Sequence, residues 1–148
     1  MSKRLTYDRR LDPPAPVAPL RIARPSGDEA VVLPALIDTG ADCTLIPAVV
    51  ARQIGLPVID RVSVQGLGGT ARQVPVYAAT AAFGGIRVLA RLAAYEDETV
   101  LGRDLLNRVV ALLDGPALRL GFGRAGRGRR RALGRRRARG RVDSSHRR

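Results

Sequence analysis

The stretch ALIDTGADCTLIP, Ala35–Pro47, decides how the rest of the chain is read. An apolar run ends in Asp38, a Thr39-Gly40 turn follows, and apolar residues resume at Leu45. Asp and Gly are ordinary turn residues, so the plain reading is a turn. The flanks add to it. Ala35-Leu36-Ile37 place Asp38 at the end of a buried strand, where an isolated carboxylate is costly to ionise. Thr39 offers a hydroxyl, and Gly40 removes the side chain that would obstruct a tight turn. One carboxylate cannot act as both general base and general acid in a single hydrolytic step, whereas two that share a proton can. The chain holds no second Asp-Thr-Gly. A symmetric dimer would supply it by bringing two copies of Asp38 together at a twofold axis.

Working outward, most segments read as short strands. LRIAR and AVVLPALI flank a Ser-Gly-Asp turn, and TLIP continues extended into Pro47. AVVARQIG, residues 48–55, reads as a short helix stopped by Gly55. RVSVQ alternates and GLGGT breaks it. ARQVPVYAATAAF and IRVLARLAAY are strand-like runs joined by a tight hairpin at Gly84-Gly85. TVLGRDLLNRV places a helical turn after Gly102, and VVALLDGPALRLGF forms two strands around Asp114-Gly115-Pro116. Many short strands with one or two small helices predict a compact, mostly β fold.

Three zones follow from composition. Residues 1–19 include Pro13, Pro14, Pro16 and Pro19 and read as an extended N-terminal arm. Residues 20–123 carry the apolar periodicity. Residues 124–148 lack apolar content and read as a disordered arginine-rich tail. The formal net charge of +13 is concentrated there. Residues 1–123 hold 14 basic and 12 acidic side chains, whereas 124–148 hold 12 arginines and one aspartate. Such a tail can contact nucleic acid through phosphates. It has no aromatic residue for base stacking. The bias of 25 arginines to one lysine also suggests GC-rich coding, which enriches arginine without any functional demand.

Several chemistries are excluded. The one histidine, His146, lies in the tail, so the body has no imidazole base for a serine or cysteine nucleophile. With a single cysteine, Cys43, no intramolecular disulfide forms and no ordinary zinc site is expected; Cys43 itself reads as a small buried side chain beside the turn. The glycines of GLGGTA superficially match a dinucleotide loop. Pro75 and the strand-like run behind them remove the helix that such a loop needs, so no nucleotide or other cofactor is expected. The basic start MSKRLTYDRR has no apolar segment behind it, and no uninterrupted apolar run is long enough for a membrane span. The expectation is a soluble cytoplasmic protein without a membrane partner.

ALIDTGADCTLIP resembles the active-site segment of retropepsin-like aspartic proteases, the group of retroviral proteases and their bacterial relatives. AVVARQIGLP resembles the helix and loop that follow it in bacterial and eukaryotic members. VQGLGGT resembles the glycine-rich flap tip, and VLGRDLLNRVVALLDGPALRLGF resembles the block that closes the fold. The resemblance covers about residues 20–123 and implies a single-lobe closed barrel that is active as a homodimer on peptide or protein substrates. By this likeness Asp38 is the catalytic carboxylate, Thr39 hydrogen-bonds across the dimer beneath it, and Gly40 contacts substrate backbone. Asp42 binds substrate backbone and pairs with Arg103, which follows the structural Gly102. The flap is Gln65–Ala71, with Gly66, Leu67, Gly68 and Gly69 closing over the substrate. Retroviral members carry Asn where Asp104 stands, and the proline-rich arm has no retroviral counterpart. The alternative function is a non-proteolytic dimeric peptide-binding or assembly domain of the same fold, with the Arg-rich tail as a candidate nucleic-acid tether.

Overall fold

A computed structural model of the chain describes residues 3–27, 29–66 and 68–123. In order, the elements are β1 (Lys3–Thr6), β2 (Val17–Ala23), β3 (Ala30–Ile37), β4 (Leu45–Ile46), α1 (Ala48–Gln53) and β5 (Val58–Val64). They continue as β6 (Arg72–Phe83), β7 (Ile86–Ala94), β8 (Val100–Leu101), α2 (Arg103–Leu106), β9 (Val110–Asp114) and β10 (Arg119–Gly123). The tail at 124–148 and Leu67 lie outside the described residues.

One seven-stranded sheet runs β2-β3-β8-β4-β7-β6-β5, and β2 also pairs with β6. That extra pairing, Arg21 to Ala82 through Ala23 to Thr80, closes six strands into a ring and leaves β5 as an extension of β6. The fold is mostly β, a closed barrel with two short helices, as the sequence predicts. Closure removes the free edges that β2 and β6 would otherwise expose. Pro19 and Pro34 sit opposite each other in the β2–β3 ladder. Both lie outside the stretches of β2 and β3 that pair with a second neighbour, where a missing N–H is tolerated.

Alternation fills the barrel. In β6, Tyr77, Ala79, Ala81 and Phe83 point inward between half-buried neighbours. They meet Leu20 and Ile22 of β2, Leu92 of β7 and Leu101 of β8, and the repeated alanines let facing strands approach closely. The β6–β7 hairpin turns at Gly84 (φ 53°) and Gly85 (φ 84°), the left-handed pair that a two-residue turn requires. A Cβ on Gly84 would also lie 2.8 Å from the Phe122 ring, which stacks edge-on against Phe83 at 5.9 Å. A smaller apolar cluster, Val74, Val76 and Ala93, packs with Cys43, Leu45, Val62, Val64 and Tyr95.

Residues 3–19 do not form one extended arm: Lys3–Thr6 and the stretch from Val17 are strands, residues 9–13 turn and bend between them, and the segment is integrated into the fold. Strand β1 pairs antiparallel with β10, from Lys3 opposite Phe122 to Thr6 opposite Arg119, in a second sheet of order β1-β10-β9. An Asp8–Ala15 bridge folds the proline-rich segment back, and β2 begins at Val17. Hydrogen bonds from the Arg10 guanidinium, then from its backbone N–H, hold the Asp8 carboxyl down to about 2. Two other boundaries differ from the sequence reading. Helix α1 ends at Gln53, with Gly55 (φ 65°) closing the turn behind it, and β5 begins at Val58. Every residue of β5 up to Arg61 is exposed, so no burial pattern marks its start. Among the described residues no helix is long and apolar enough to cross a membrane.

Candidate active site

Asp38 follows the last residue of β3, and Ile37 pairs in parallel with Leu101 of β8. The Asp38 N–H donates to the Leu101 carbonyl at 3.1 Å, which fixes where the strand stops. The chain then turns on its own carboxylate. The Gly40 N–H donates to Asp38 Oδ1 at 2.8 Å, and the Ala41 N–H donates to the Asp38 carbonyl at 3.3 Å. A Cβ at Gly40 would lie 3.1 Å from that same Oδ1, so glycine keeps the carboxylate uncrowded. The expected burial is only partial in the single chain. Asp38 is half-buried, and Thr39 and Gly40 are exposed.

The loop beyond Asp38 is braced by α2. Arg103 ion-pairs with Asp42, and its guanidinium donates to the Thr39 carbonyl at 3.4 Å. The Arg103 N–H donates to the Ala41 carbonyl at 2.9 Å. Both side chains of the ion pair are largely exposed, so the pair orients the loop more than it stabilises the fold.

A second brace was not assigned from sequence. Thr44 is fully buried, and its hydroxyl donates to Asp104 Oδ1 at 2.7 Å while accepting the Gly102 N–H at 3.1 Å. The Thr44 N–H donates to Asp104 Oδ2 at 3.1 Å, so one carboxylate grips both polar groups of one residue. A Cβ on Gly102 would lie 2.5 Å from the Cys43 carbonyl carbon and oxygen, which is why the helix start tolerates only glycine there. Asp104 and Thr44 are 60 residues apart. The one sequence sign was an acidic residue in the first turn of α2, which an ordinary helix start explains equally well. Burial pushes the Cys43 thiol up, and the nearby carboxylates of Asp104 and Asp42 push it in the same direction.

The glycine-rich segment forms the tip between β5 and β6, whose ladder ends with Val64 opposite Arg72. Gly66, Gly68 (φ 69°) and Gly69 are exposed there, and Leu67 lies outside the described residues. The tip is closed by the Gln65 side-chain amide donating to the Gly69 carbonyl at 3.0 Å and by the Gly69 N–H donating to the Gly66 carbonyl at 3.1 Å. No hydrogen bond joins this tip to the Asp38 turn among the described residues. Its ties run elsewhere: Arg72 ion-pairs with Glu96 at 3.5 Å, and Gly66 lies beside the Tyr95 hydroxyl. Among the described residues no cluster of His, Cys, Asp and Glu could hold a metal ion.

An Asp-Thr-Gly turn at a barrel strand end, braced from a short helix that begins Gly-Arg-Asp, stands inside the segment that matches a protein-family model. Residues 21–105 match the model described as aspartyl protease. The chain belongs to the aspartyl protease family. Solved structures of two such proteases share the fold of this family member. EIAV protease complexed with the inhibitor HBY-793 aligns at 21% identity over 70% of this chain and 92% of its own, with a TM-score of 0.52. A retropepsin-like aspartic protease from Rickettsia conorii aligns at 14% identity over 82% of this chain and 89% of its own, with a TM-score of 0.57. The retropepsin-like fold of this aspartyl protease family member is therefore shared with a viral and a bacterial protein. A search of curated proteins returns no match.

Proposed function

We propose that this chain is an aspartic endopeptidase that acts as a homodimer. The observation that carries the reading is the Asp38 turn: a half-buried carboxylate at a barrel strand end that accepts the Gly40 N–H, on a residue whose backbone N–H donates to the Leu101 carbonyl. Two such carboxylates facing each other would share one proton. The ionised one takes a proton from water as it attacks the peptide carbonyl, and the protonated one donates to the developing oxyanion. Like charges held that close cannot both ionise easily, so activity favours acidic pH. Thr39 would link the two turns beneath the dyad, and the Gly40 and Asp42 backbone side of the loop would receive substrate.

The substrate on this reading is an extended peptide added as a strand, with Gly66–Gly69 closing over it because residues without Cβ atoms let backbone approach backbone. No cofactor enters the scheme. Its single cysteine suits a reducing cytoplasm. Nucleic-acid contact through residues 124–148 is a separate sequence-based expectation that falls outside the described residues.

The test is cleavage of a peptide library by wild type and Asp38→Asn protein across pH, with molar mass measured in parallel. Cleavage by wild type alone, strongest below neutral pH and only where the mass is dimeric, supports the reading. Cleavage by Asp38→Asn at the wild-type rate would refute it. Peptide binding by wild type without cleavage would instead assign a non-proteolytic binding domain.

A further inference from the structure

Strand β1 lies along β10 with Arg4 opposite Gly121 and Thr6 opposite Arg119. By the two-residue period these four residues share one face of the sheet, while Leu120 and Phe122 point into the core. Arg4, Thr6 and Arg119 are exposed and, with Leu5, line a shallow cleft of about 440 Å³. Gly121 opposes Arg4 without a side chain, so the floor there is backbone. Diagonal neighbours across a ladder lie about 7–8 Å apart, which lets both guanidiniums reach over one spot. Neither arginine forms an ion pair among the described residues. The carboxylate nearest in register is Asp114, opposite Arg119 on the β9 side, and it accepts the Ala117 N–H at 3.1 Å.

We propose that the Arg4–Thr6–Arg119 cleft binds the phosphate backbone of a nucleic acid. The proposal is independent of the protease reading. A guanidinium is a planar fork of donors that matches phosphate oxygens two at a time, and a threonine hydroxyl donates to the same groups. The cations continue beyond the cleft. The Tyr7 N–H donates to the Leu118 carbonyl at 2.9 Å, which carries the chain past that end of β10 to Arg9, exposed and without an ion pair among the described residues. At the other end, Gly123 closes β10, and the next 25 residues contain 12 arginines. Cations strung out in this way call for a ligand with a charge on every unit, which is what a sugar–phosphate chain presents.

The face is less suited to a lipid surface. Membrane-surface contacts set apolar side chains among the cations. Here the exposed apolar residues of the sheet, Val110, Leu112 and Leu113, gather on β9 at its outer edge, across β10 from Arg4. The ground between Arg4 and Arg119 is Thr6 and Gly121, and neither offers a ring for base stacking, so binding is to backbone and tolerant of sequence.

The test is fluorescence anisotropy of the full chain with a labelled oligothymidylate of about 20 nucleotides, followed from about 50 to 200 mM salt. Arg4→Ala/Arg119→Ala should raise the dissociation constant about tenfold or more near 100 mM salt. It should also flatten the slope of log affinity against log salt by about 1.4, since each lost phosphate contact removes about 0.7. The control removes the same charge elsewhere: Arg21 and Arg87 flank Ala82 on the outer barrel face, both exposed and without ion pairs among the described residues. Arg21→Ala/Arg87→Ala should leave the slope unchanged and the dissociation constant within about threefold. Arg4→Lys/Arg119→Lys keeps the charge and should retain the wild-type slope, which separates lost phosphate contacts from a damaged fold. A loss at Arg4 and Arg119 no larger than in the control overturns the cleft and leaves binding to the arginine-rich stretch alone. Absence of oligonucleotide binding at the lowest salt overturns the proposal. So does displacement of the oligonucleotide by polyglutamate at equal charge, which would assign an acidic protein. Pelleting with phosphatidylserine vesicles that needs Arg4 and Arg119, without oligonucleotide binding, would assign a membrane and overturn it as well.

Discussion

Thr44→Val tests whether the Asp38 loop hangs on a buried polar grip. Valine keeps the shape of threonine and deletes its hydroxyl, so packing at this fully buried position changes little. Two hydrogen bonds go: the one to Asp104 Oδ1 at 2.7 Å and the one from the Gly102 N–H at 3.1 Å. Stranding a buried N–H costs about 1–3 kcal/mol, and losing a bond to a carboxylate costs about 1.5–3 kcal/mol. The added methyl returns about 1 kcal/mol. Both bonds share one oxygen and are not independent, so the expected net loss is about 2–4 kcal/mol. For a domain of this size that lowers Tm by roughly 10 °C. The measurement is thermal unfolding by circular dichroism at one fixed protein concentration, since dimerisation would otherwise move Tm. Thr44→Ser keeps both hydrogen bonds and loses one buried methyl, a cost of about 1 kcal/mol. A valine variant melting within about 2 °C of wild type, or a serine variant as damaged as the valine one, would refute the grip. Peptidase activity should fall further than stability in Thr44→Val, because Gly102 adjoins the Leu101 carbonyl that holds Asp38.

The remaining predictions concern the same loop. Gly102→Ala places a Cβ 2.5 Å from the Cys43 backbone, so it should lower stability by about 2 kcal/mol or more, read as a lower urea midpoint. Arg103→Lys breaks an exposed pair and should change stability by less than about 1 kcal/mol, read from the urea midpoint, while kcat falls because the planar two-pronged contact to Asp42 and the Thr39 carbonyl is lost. Cys43, whose thiol is pushed up by burial and then by Asp104 and Asp42, carries less thiolate at pH 8 than a free thiol. Its alkylation by iodoacetamide should therefore be slower than that of a small-molecule thiol and should rise at higher pH. Asp104→Asn should shift that rate profile back toward lower pH, and an unmoved profile would remove Asp104 as a cause.

What was legible in the sequence was legible for local reasons. Gly84-Gly85 announces its hairpin because only glycine takes two positive φ angles in succession without strain. The alternation of β6 marks a barrel strand because one face is buried and the other is not. Where burial gives no pattern the sequence marks no boundary, as at the exposed start of β5. Nor does it mark β8, whose two residues are too few to show a period. Nothing local sets β1 apart from an extended N-terminal arm, because its partner, β10, lies more than a hundred residues away and leaves no mark on the local pattern.

The same division runs through the site. Asp38, Thr39 and Gly40 stand next to one another, so the sequence by itself determined the turn, its carboxylate and the fact that one chain carries a single copy of it. Turn chemistry is local, set by side chains reaching backbone groups one or two residues away. Only the tertiary structure decided that Asp104 holds Thr44, that Gly102 lies against Cys43, and that β9 is left as an open apolar edge. Each of these depends on contacts between distant segments, whose closure no neighbouring residue records and only the packed barrel brings about.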